Sequence, residues 1–359
     1  MAMTLDSIMK GAVEQRASDI HLKVGCPPIY RIDGELVRLP GDLLTDNDMT
    51  VYLKQLAGDK EIARFEERLE LDGSYMLGDT IRFRVNVCRE DSSTRIVMRL
   101  IPLSLKKIAD LGLPPVLKKV CGLKTGLVLV TGPTGSGKST SLAAMIDEIN
   151  ENRPVHIITI EDPLEFVHRD KKAIVTQREV GQDTLSFANS LRGALRQDPD
   201  VILIGEMRDA ETVKTALASA ETGHLVFSTL HTVDAVETLN RIIDFFDAGQ
   251  QVQIRKQLAS VLRAVVSQRI MALKTGTGRC VVAEVLIGSR TVREHIEQGK
   301  SFRDIVKLIE DGYDQYGMQS FDQGLYDLYK AGTITAEVAM QYATSPKDLA
   351  LRIQGMRTV

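Results

Sequence analysis

The sequence predicts an α/β protein of two folded units, a small α+β unit followed by a larger one on a mostly parallel sheet, and three observations lead there. At 359 residues the chain exceeds the usual size of one domain. The apolar run Leu127-Val128-Leu129-Val130 breaks into Gly132-Pro133-Thr134-Gly135-Ser136-Gly137-Lys138-Ser139-Thr140, a buried strand entering a glycine-rich turn, with a helix from Ser141 onward. From Gly122 apolar strands alternate with helices, whereas residues 1 to about 100 carry the period-two alternation and turn signals of an antiparallel sheet.

In chain order, Leu5, Ile8, Met9, Ala12 and Val13 fall at helical spacing, and Ala17-Ser18-Asp19-Ile20-His21-Leu22 turns into an extended segment. Ile29-Tyr30-Arg31-Ile32 and Thr80 to Val87 read as half-buried strands, with Pro27-Pro28, Asp33-Gly34 and Asp72-Gly73 as turns. Ile101-Pro102 ends the last strand of this unit, and Leu113-Pro114-Pro115 reads as a linker feature. Val155 to Ile160, Val201 to Gly205 and Leu225 to Thr229 are the next core strands of the larger unit. After Val285, Val292 to Gln298, Phe302 to Asp311, Phe321 to Ala331 and Ala336 to Ala343 are helical.

A formal net charge of -3 with interspersed signs gives no polybasic patch of the kind nucleic-acid binding uses. Cys26, Cys88, Cys121 and Cys280 lie far apart without a C-x-x-C pair, so reduced thiols are expected rather than a zinc knuckle or disulfide framework. The charged N-terminus carries no signal peptide, and no segment reaches the roughly 20 apolar residues of a membrane-spanning helix. A soluble, cytosolic protein that meets a membrane only through a partner is the expectation.

The chemistry is concentrated at strand ends. The glycine-rich turn forms an anion nest for the α and β phosphates of a nucleotide, Lys138 reaches the β and γ phosphates, and the Ser139 hydroxyl coordinates Mg²⁺. Thr159-Ile160-Glu161-Asp162-Pro163-Leu164-Glu165-Phe166 sets three carboxylates where a strand meets a turn; Glu161 or Glu165 can orient or deprotonate an attacking water, or such acids can simply cap the turn. In Val201 to Asp209 the usual strand-terminal Asp is replaced by Gly205, so Glu206 must reach the metal or act as a helper base. His224 and His231 flank one strand seven residues apart, an unsuitable spacing for a metal pair, though a strand-tip His can meet phosphate or a neighbouring subunit. Arg82, Arg84, Arg89, Arg95 and Arg99 crowd the strands of the small unit, as a solvated face or as arginine fingers.

Together these four blocks resemble the bacterial type II/IV secretion and pilus motor ATPases, with the phosphate loop at Gly132 to Thr140, an Asp box at Ile157 to Phe166, a Walker B strand at Val201 to Asp209 and a His box at Thr222 to Thr232. The short N-terminal region, Ala17 to Leu22 and Gly317-Met318-Gln319-Ser320-Phe321-Asp322 look like the branch that retracts type IV pili. That branch's helix motif A-I-R-N-L-I-R-E reads here as Thr291-Val292-Arg293-Glu294-His295-Ile296-Glu297-Gln298, which keeps Arg293 and Ile296 and leaves a principal and an accessory retraction motor both open.

The resemblance implies a PAS-like N-terminal domain over 1–100, an interdomain linker over 101–117, a RecA-like ATPase domain over 118–290 and a helical C-terminal region over 291–359. It implies a homohexameric, ATP- and Mg²⁺-dependent motor that is cytoplasmic and reaches the inner membrane through a pilus platform protein, with a paralogous retraction ATPase as a further partner. By resemblance Arg84 and Arg99 reach the nucleotide, His224 and His231 sense its state, and a hinge lies between Ile101 and Pro115. An assembly or secretion motor, a RecA-like nucleic-acid translocase and a non-hydrolysing nucleotide switch are the rival readings.

Overall fold

Leu5, Ile8, Met9 and Ala12 form the buried face of α1 (Leu5–Glu14), whose N-terminus Thr4 caps by accepting the Ser7 amide. In the computed structural model, which describes residues 3–78, 81–101 and 105–355, α1 is followed by β1 (Asp19–Lys23), β2 (Ile29–Ile32) and β3 (Glu35–Arg38). Asp33 and Gly34, both at positive φ, make the two-residue turn that pairs Ile32 with Glu35, as the sequence predicts. Then come α2 (Asp46–Leu56), α3 (Asp59–Arg68), β4 (Glu70–Leu77), β5 (Ile81–Glu90) and β6 (Ser93–Ile101). The six strands pair antiparallel in the order β3-β2-β1-β6-β5-β4.

One expectation for this unit needs revision. Asp72-Gly73 is not a turn: Gly73 pairs with Val85 inside β4, and Asp72 accepts from the Asn86 side chain. A long cross-strand ladder overrides a local turn propensity there, and the chain reverses instead around Leu69, in the left-handed region at φ 63°, and Gly78 at φ 61°. Thr80, expected to open β5, and Pro102, expected to end β6, lie outside the described residues.

The chain divides into two units between Ser104 and Leu105, so the expected linker over 101–117 is mostly packed structure. Ile101 closes β6, while Ile108, Leu113 and Leu117 are buried in the core of the larger unit beside Val128 and Val130. The Leu113-Pro114-Pro115 segment starts a helix, α4 (Val116–Cys121), with Pro115 at its cap. Proline is tolerated at a helix start because the first amides have no partner to lose.

The larger unit continues with β7 (Gly126–Thr131), α5 (Lys138–Asn152), β8 (His156–Glu161), β9 (Ile174–Glu179), α6 (Phe187–Ala194), β10 (Val201–Ile204), α7 (Ala210–Glu221) and β11 (Leu225–Leu230). After these come α8 (Ala235–Asp244), α9 (Ala248–Val261), β12 (Leu262–Ala272) and β13 (Arg279–Ile287). The sheet order is β13-β12-β7-β11-β10-β8-β9, parallel throughout except for β13, which returns antiparallel along β12. Strands β7, β10 and β11 are buried on both faces, which is why Leu127 to Val130, Val201 to Ile204 and Leu225 to Phe227 read as unbroken apolar runs. Period-two alternation divides each between two cores: Leu127, Leu129, Ile202 and Ile204 serve one face, and Val128, Val130, Val201 and Leu203 the other.

The four expected C-terminal helices form as α10 (Arg290–Glu297), α11 (Arg303–Asp311), α13 (Phe321–Lys330) and α14 (Ala336–Tyr342), joined by two that were not expected, α12 (Tyr313–Tyr316) and α15 (Pro346–Ile353). Helices α10 and α11 pack on the main core through Val292, Ile296, Ile305 and Ile309. Helices α13 to α15 make a separate cluster with Met271 and Val282 of β12 and β13. Among the described residues no helix is long and apolar enough to cross a membrane.

Candidate active site

The site forms where β7, β11, β10 and β8, neighbours in the sheet, deliver their carboxyl ends to one edge, the position at which open α/β sheets bind ligands. The chain leaving β7 must turn sharply over that edge, and Gly132, Gly135 and Gly137 take φ of 143°, 80° and 87° to do so. At Gly132 nothing larger fits, since a Cβ would lie 2.5 Å from Ser136 Oγ and 2.6 Å from the Gln268 carbonyl oxygen. Pro133, Thr134 and Gly135 form the exposed crest of the loop, and Ser139 and Thr140 stand partly exposed in the first turn of α5, which begins at Lys138 rather than Ser141.

Lys138 is almost fully buried and donates to the carbonyls of Gly132, at 2.8 Å, and Pro133, at 3.1 Å. Burial pushes its ammonium below the ordinary lysine value, and the carboxylates of Glu206 and Glu165 offset part of that. A buried cation resting on loop carbonyls beside two acids is poised to pair with phosphate. Ser136 Oγ is buried without a hydrogen-bond partner. The glycine cradle, the unpartnered hydroxyl and the buried cation fit a nucleotide's phosphates.

At the end of β8, Glu161 accepts from Thr159 Oγ1 at 2.8 Å, and burial of its carboxyl pushes its pKa up to about 7, with nearby Glu165 adding to the rise and hydrogen bonds opposing it. Glu165 lies exposed beyond the cis Asp162-Pro163 bond. At the end of β10 the missing strand-terminal Asp has a steric explanation. A Cβ on Gly205 would meet the Ile160 carbonyl at 3.2 Å and Glu161 Cα at 3.3 Å, while the Gly205 amide donates to Ile160 and its carbonyl accepts from Thr229.

Glu206, one residue on, is held from two sides: Arg208 Nη2 lies 2.9 Å from Oε2 and His231 Nε2 3.3 Å from Oε1. Arg208 also approaches Asp162, at 3.6 Å. Sequence reasoning gave Arg208 no role; its one signal was a cation two residues after the strand-end acid. Asp209 caps α7, accepting from the Thr212 amide.

The two histidines part company. His231, just past β11, joins Glu206. His224, expected to sense the nucleotide as well, precedes β11: Leu225 pairs with Gly126 and Leu230 with Thr131, which sets His224 at the far edge of the sheet. At about 3.3 Å per strand residue that is roughly 20 Å from the phosphate loop. Within its own chain His224 therefore does not reach the loop; its Nδ1 is 2.9 Å from the Ser219 carbonyl, a local contact closing α7.

The expected arginines belong to the smaller unit. Phe83, Val85 and Val87 are buried and Arg84 is exposed on the other face of β5, directly across from Arg99. Arg99 donates through Nε to Asp19 Oδ1 at 2.8 Å. Burial works to raise the Asp19 pKa, but hydrogen bonds from Arg99 and Ser18 outweigh it and leave the carboxyl below its usual value.

A glycine-turned phosphate loop with its lysine, set at the edge of a parallel sheet where neighbouring strands present acids, defines a phosphate-loop nucleoside triphosphatase. The chain belongs to the family described as type II/IV secretion system protein, whose profile matches residues 1–277. It is 43% identical to the type IV pilus retraction ATPase PilT of Pseudomonas aeruginosa over 96% of this chain and 100% of that one. To a twitching motility protein of Neisseria gonorrhoeae it is 41% identical over 98% of this chain and 93% of the other. The crystal structure of the pilus retraction motor PilT with bound ADP superimposes with a TM-score of 0.90 at 44% identity, covering 97% of this chain and 99% of that one.

Proposed function

We propose that this chain is the ATP-hydrolysing motor that powers type IV pilus retraction. The observation that carries the reading is Glu206, held by Arg208 and His231 at the strand ends beside the phosphate loop. End-to-end similarity to a retraction ATPase supports the biological assignment.

Phosphoryl transfer asks a protein for positioning and charge stabilisation more than for covalent chemistry. The loop amides between Thr134 and Thr140 wrap the phosphates, and Lys138 exchanges its two loop carbonyls for β and γ phosphate oxygens. Ser139 and Glu206 would hold Mg²⁺, which would supply positive charge against the phosphates. Glu161 or Glu165 orients the attacking water. With its pKa near 7, Glu161 gives up and regains a proton close to neutral pH. His231 reports through Glu206 which phosphates are bound, and Arg84 and Arg99 bring positive charge to the nucleotide.

In this reading the six-stranded unit is a PAS-like domain and the seven-stranded unit a RecA-like one. Six copies form a cytoplasmic ring on an inner-membrane platform protein, and ATP turnover in that ring draws pilins out. The altered helix Thr291 to Gln298 favours a second reading, an accessory retraction paralogue working beside a principal motor.

The test is pilus behaviour in cells lacking this protein, complemented with wild type or Glu206→Ala. Hyperpiliated, non-motile cells that only wild type restores are expected. Loss of pili would make it an assembly motor, and unaffected pili an accessory paralogue or a secretion motor.

A further inference from the structure

Four buried hydroxyls run between the two halves of the site. Thr232 directly follows His231, and Thr131 directly precedes Gly132 of the phosphate loop. Between them stands Thr238 of α8: its Oγ1 is 2.7 Å from Thr232 Oγ1 and 3.4 Å from Thr131 Oγ1, and Thr131 Oγ1 is 2.9 Å from Ser267 Oγ on β12. Thr131, Thr238 and Ser267 are completely buried and Thr232 is 4% exposed, so bulk water cannot stand in for a lost partner.

A hydroxyl has one proton to give and two lone pairs to accept with. Thr238 Oγ1 is 2.6 Å from the Asp234 carbonyl, which can only accept, so its proton is committed there. Thr232 then donates to Thr238, while Thr131 donates to Ser267 at 2.9 Å. The 3.4 Å approach of Thr238 to Thr131 is the loosest contact of the chain, the step at which a turned hydroxyl makes or breaks the link. No other buried polar side chains among the described residues link the His231 segment to the base of the loop by direct hydrogen bonds in this way.

We propose that Thr238 is a positioning residue for nucleotide turnover, the hydroxyl through which the loop that binds phosphate and the segment that carries His231 fix one another. It touches neither substrate nor metal and acts by holding Thr232, and through it His231, in register with Thr131. The proposal rests on the role given above to His231 at Glu206.

The test uses full-length protein, with steady-state ATPase kinetics and binding of a fluorescent ADP analogue, for Thr238→Val, Thr238→Ser and Thr232→Val, each alone and combined with His231→Gln. The net worth of one buried neutral hydrogen bond corresponds to a fall in kcat of about 5- to 10-fold for Thr238→Val. Analogue affinity should stay within about two-fold, and Thr238→Ser, which keeps the hydroxyl, should recover the rate. Thr232→Val, which cuts the chain one link nearer His231, should reproduce the loss. On the His231→Gln background Thr238→Val should add less than about two-fold, because coupled residues are non-additive. Full turnover in both valine variants, a parallel fall in analogue affinity, or an undiminished effect beside His231→Gln would each overturn the proposal. A wild-type rate for His231→Gln itself would overturn the role of His231, whereas wild-type Thr238→Val beside an impaired His231→Gln overturns this inference alone.

Discussion

Glu284→Gln should stabilise the protein, and only at high pH. Glu284 lies on β13, 6% exposed, and accepts the amide of Ala235 at the start of α8 at 2.8 Å. Burial pushes its pKa from the ordinary 4.5 up to about 7; the Ala235 hydrogen bond and Arg269 oppose the rise, and Asp234 and Asp322 add to it. The folded carboxyl binds its proton more tightly than the unfolded one, so stability falls as pH rises from 4.5 to 7, and the cost is fully present above that. A difference of about 2.5 in pKa at roughly 1.4 kcal/mol each gives about 3–4 kcal/mol. Glutamine keeps the oxygen that accepts from Ala235 and carries no charge to desolvate. Thermal unfolding of the full-length variant should therefore rise by about 5–10 °C at pH 8 and change little at pH 5, where Glu284 is already protonated. A shift of equal size at both pH values, or a lower midpoint at pH 8, would refute the reasoning.

Glu206→Gln should lower kcat by at least about 10²-fold while leaving ADP-analogue affinity near wild type, because Lys138 and the loop amides carry binding; steady-state kinetics and a fluorescence titration check both halves. Gly132→Ala should abolish nucleotide binding at near-normal folding, since its Cβ would sit 2.5 Å from Ser136 Oγ on a backbone at φ 143°; loss in the same titration, with circular dichroism unchanged, is the expected result. Phe227→Ala, in the middle of β11 and completely buried, should cost about 3–5 kcal/mol in urea denaturation.

What the sequence reveals of this fold is what lies within a short window. The phosphate loop is legible because strand, glycines, lysine and helix follow one another over about fifteen residues, and Asp33-Gly34 because a two-residue turn needs no distant partner. Asp72-Gly73 misleads for the complementary reason: its conformation is set by β5, which follows later in the chain. The Glu206–His231 pair is equally non-local. It depends on β10 and β11 being neighbours, so that residues just past each strand meet, while His224 before β11 is carried to the opposite edge. The seven-residue spacing of the two histidines argued against a metal pair, and what separates them is the length of the strand, since they lie at its opposite ends.

The unusual strand end at Gly205 and the partners of Glu206 follow from one constraint. Strands β8 and β10 are pulled together there by the 2.7 Å bond from the Gly205 amide to the Ile160 carbonyl, and Thr229 reaches the Gly205 carbonyl from β11 at 2.6 Å. A Cβ at Gly205 would sit 3.2–3.3 Å from the β8 backbone, tighter than ordinary contact, and the acid stands one residue along, at Glu206. A glutamate just past the strand has a longer and freer side chain than a strand-terminal aspartate, and the wandering must be restrained if the carboxylate is to meet a metal or a water in one place. Arg208 and His231 supply that restraint, one from its own segment and one from the next strand. His231 does so from a segment whose next residue, Thr232, is buried and meets Thr238, which in turn approaches Thr131 at the base of the phosphate loop.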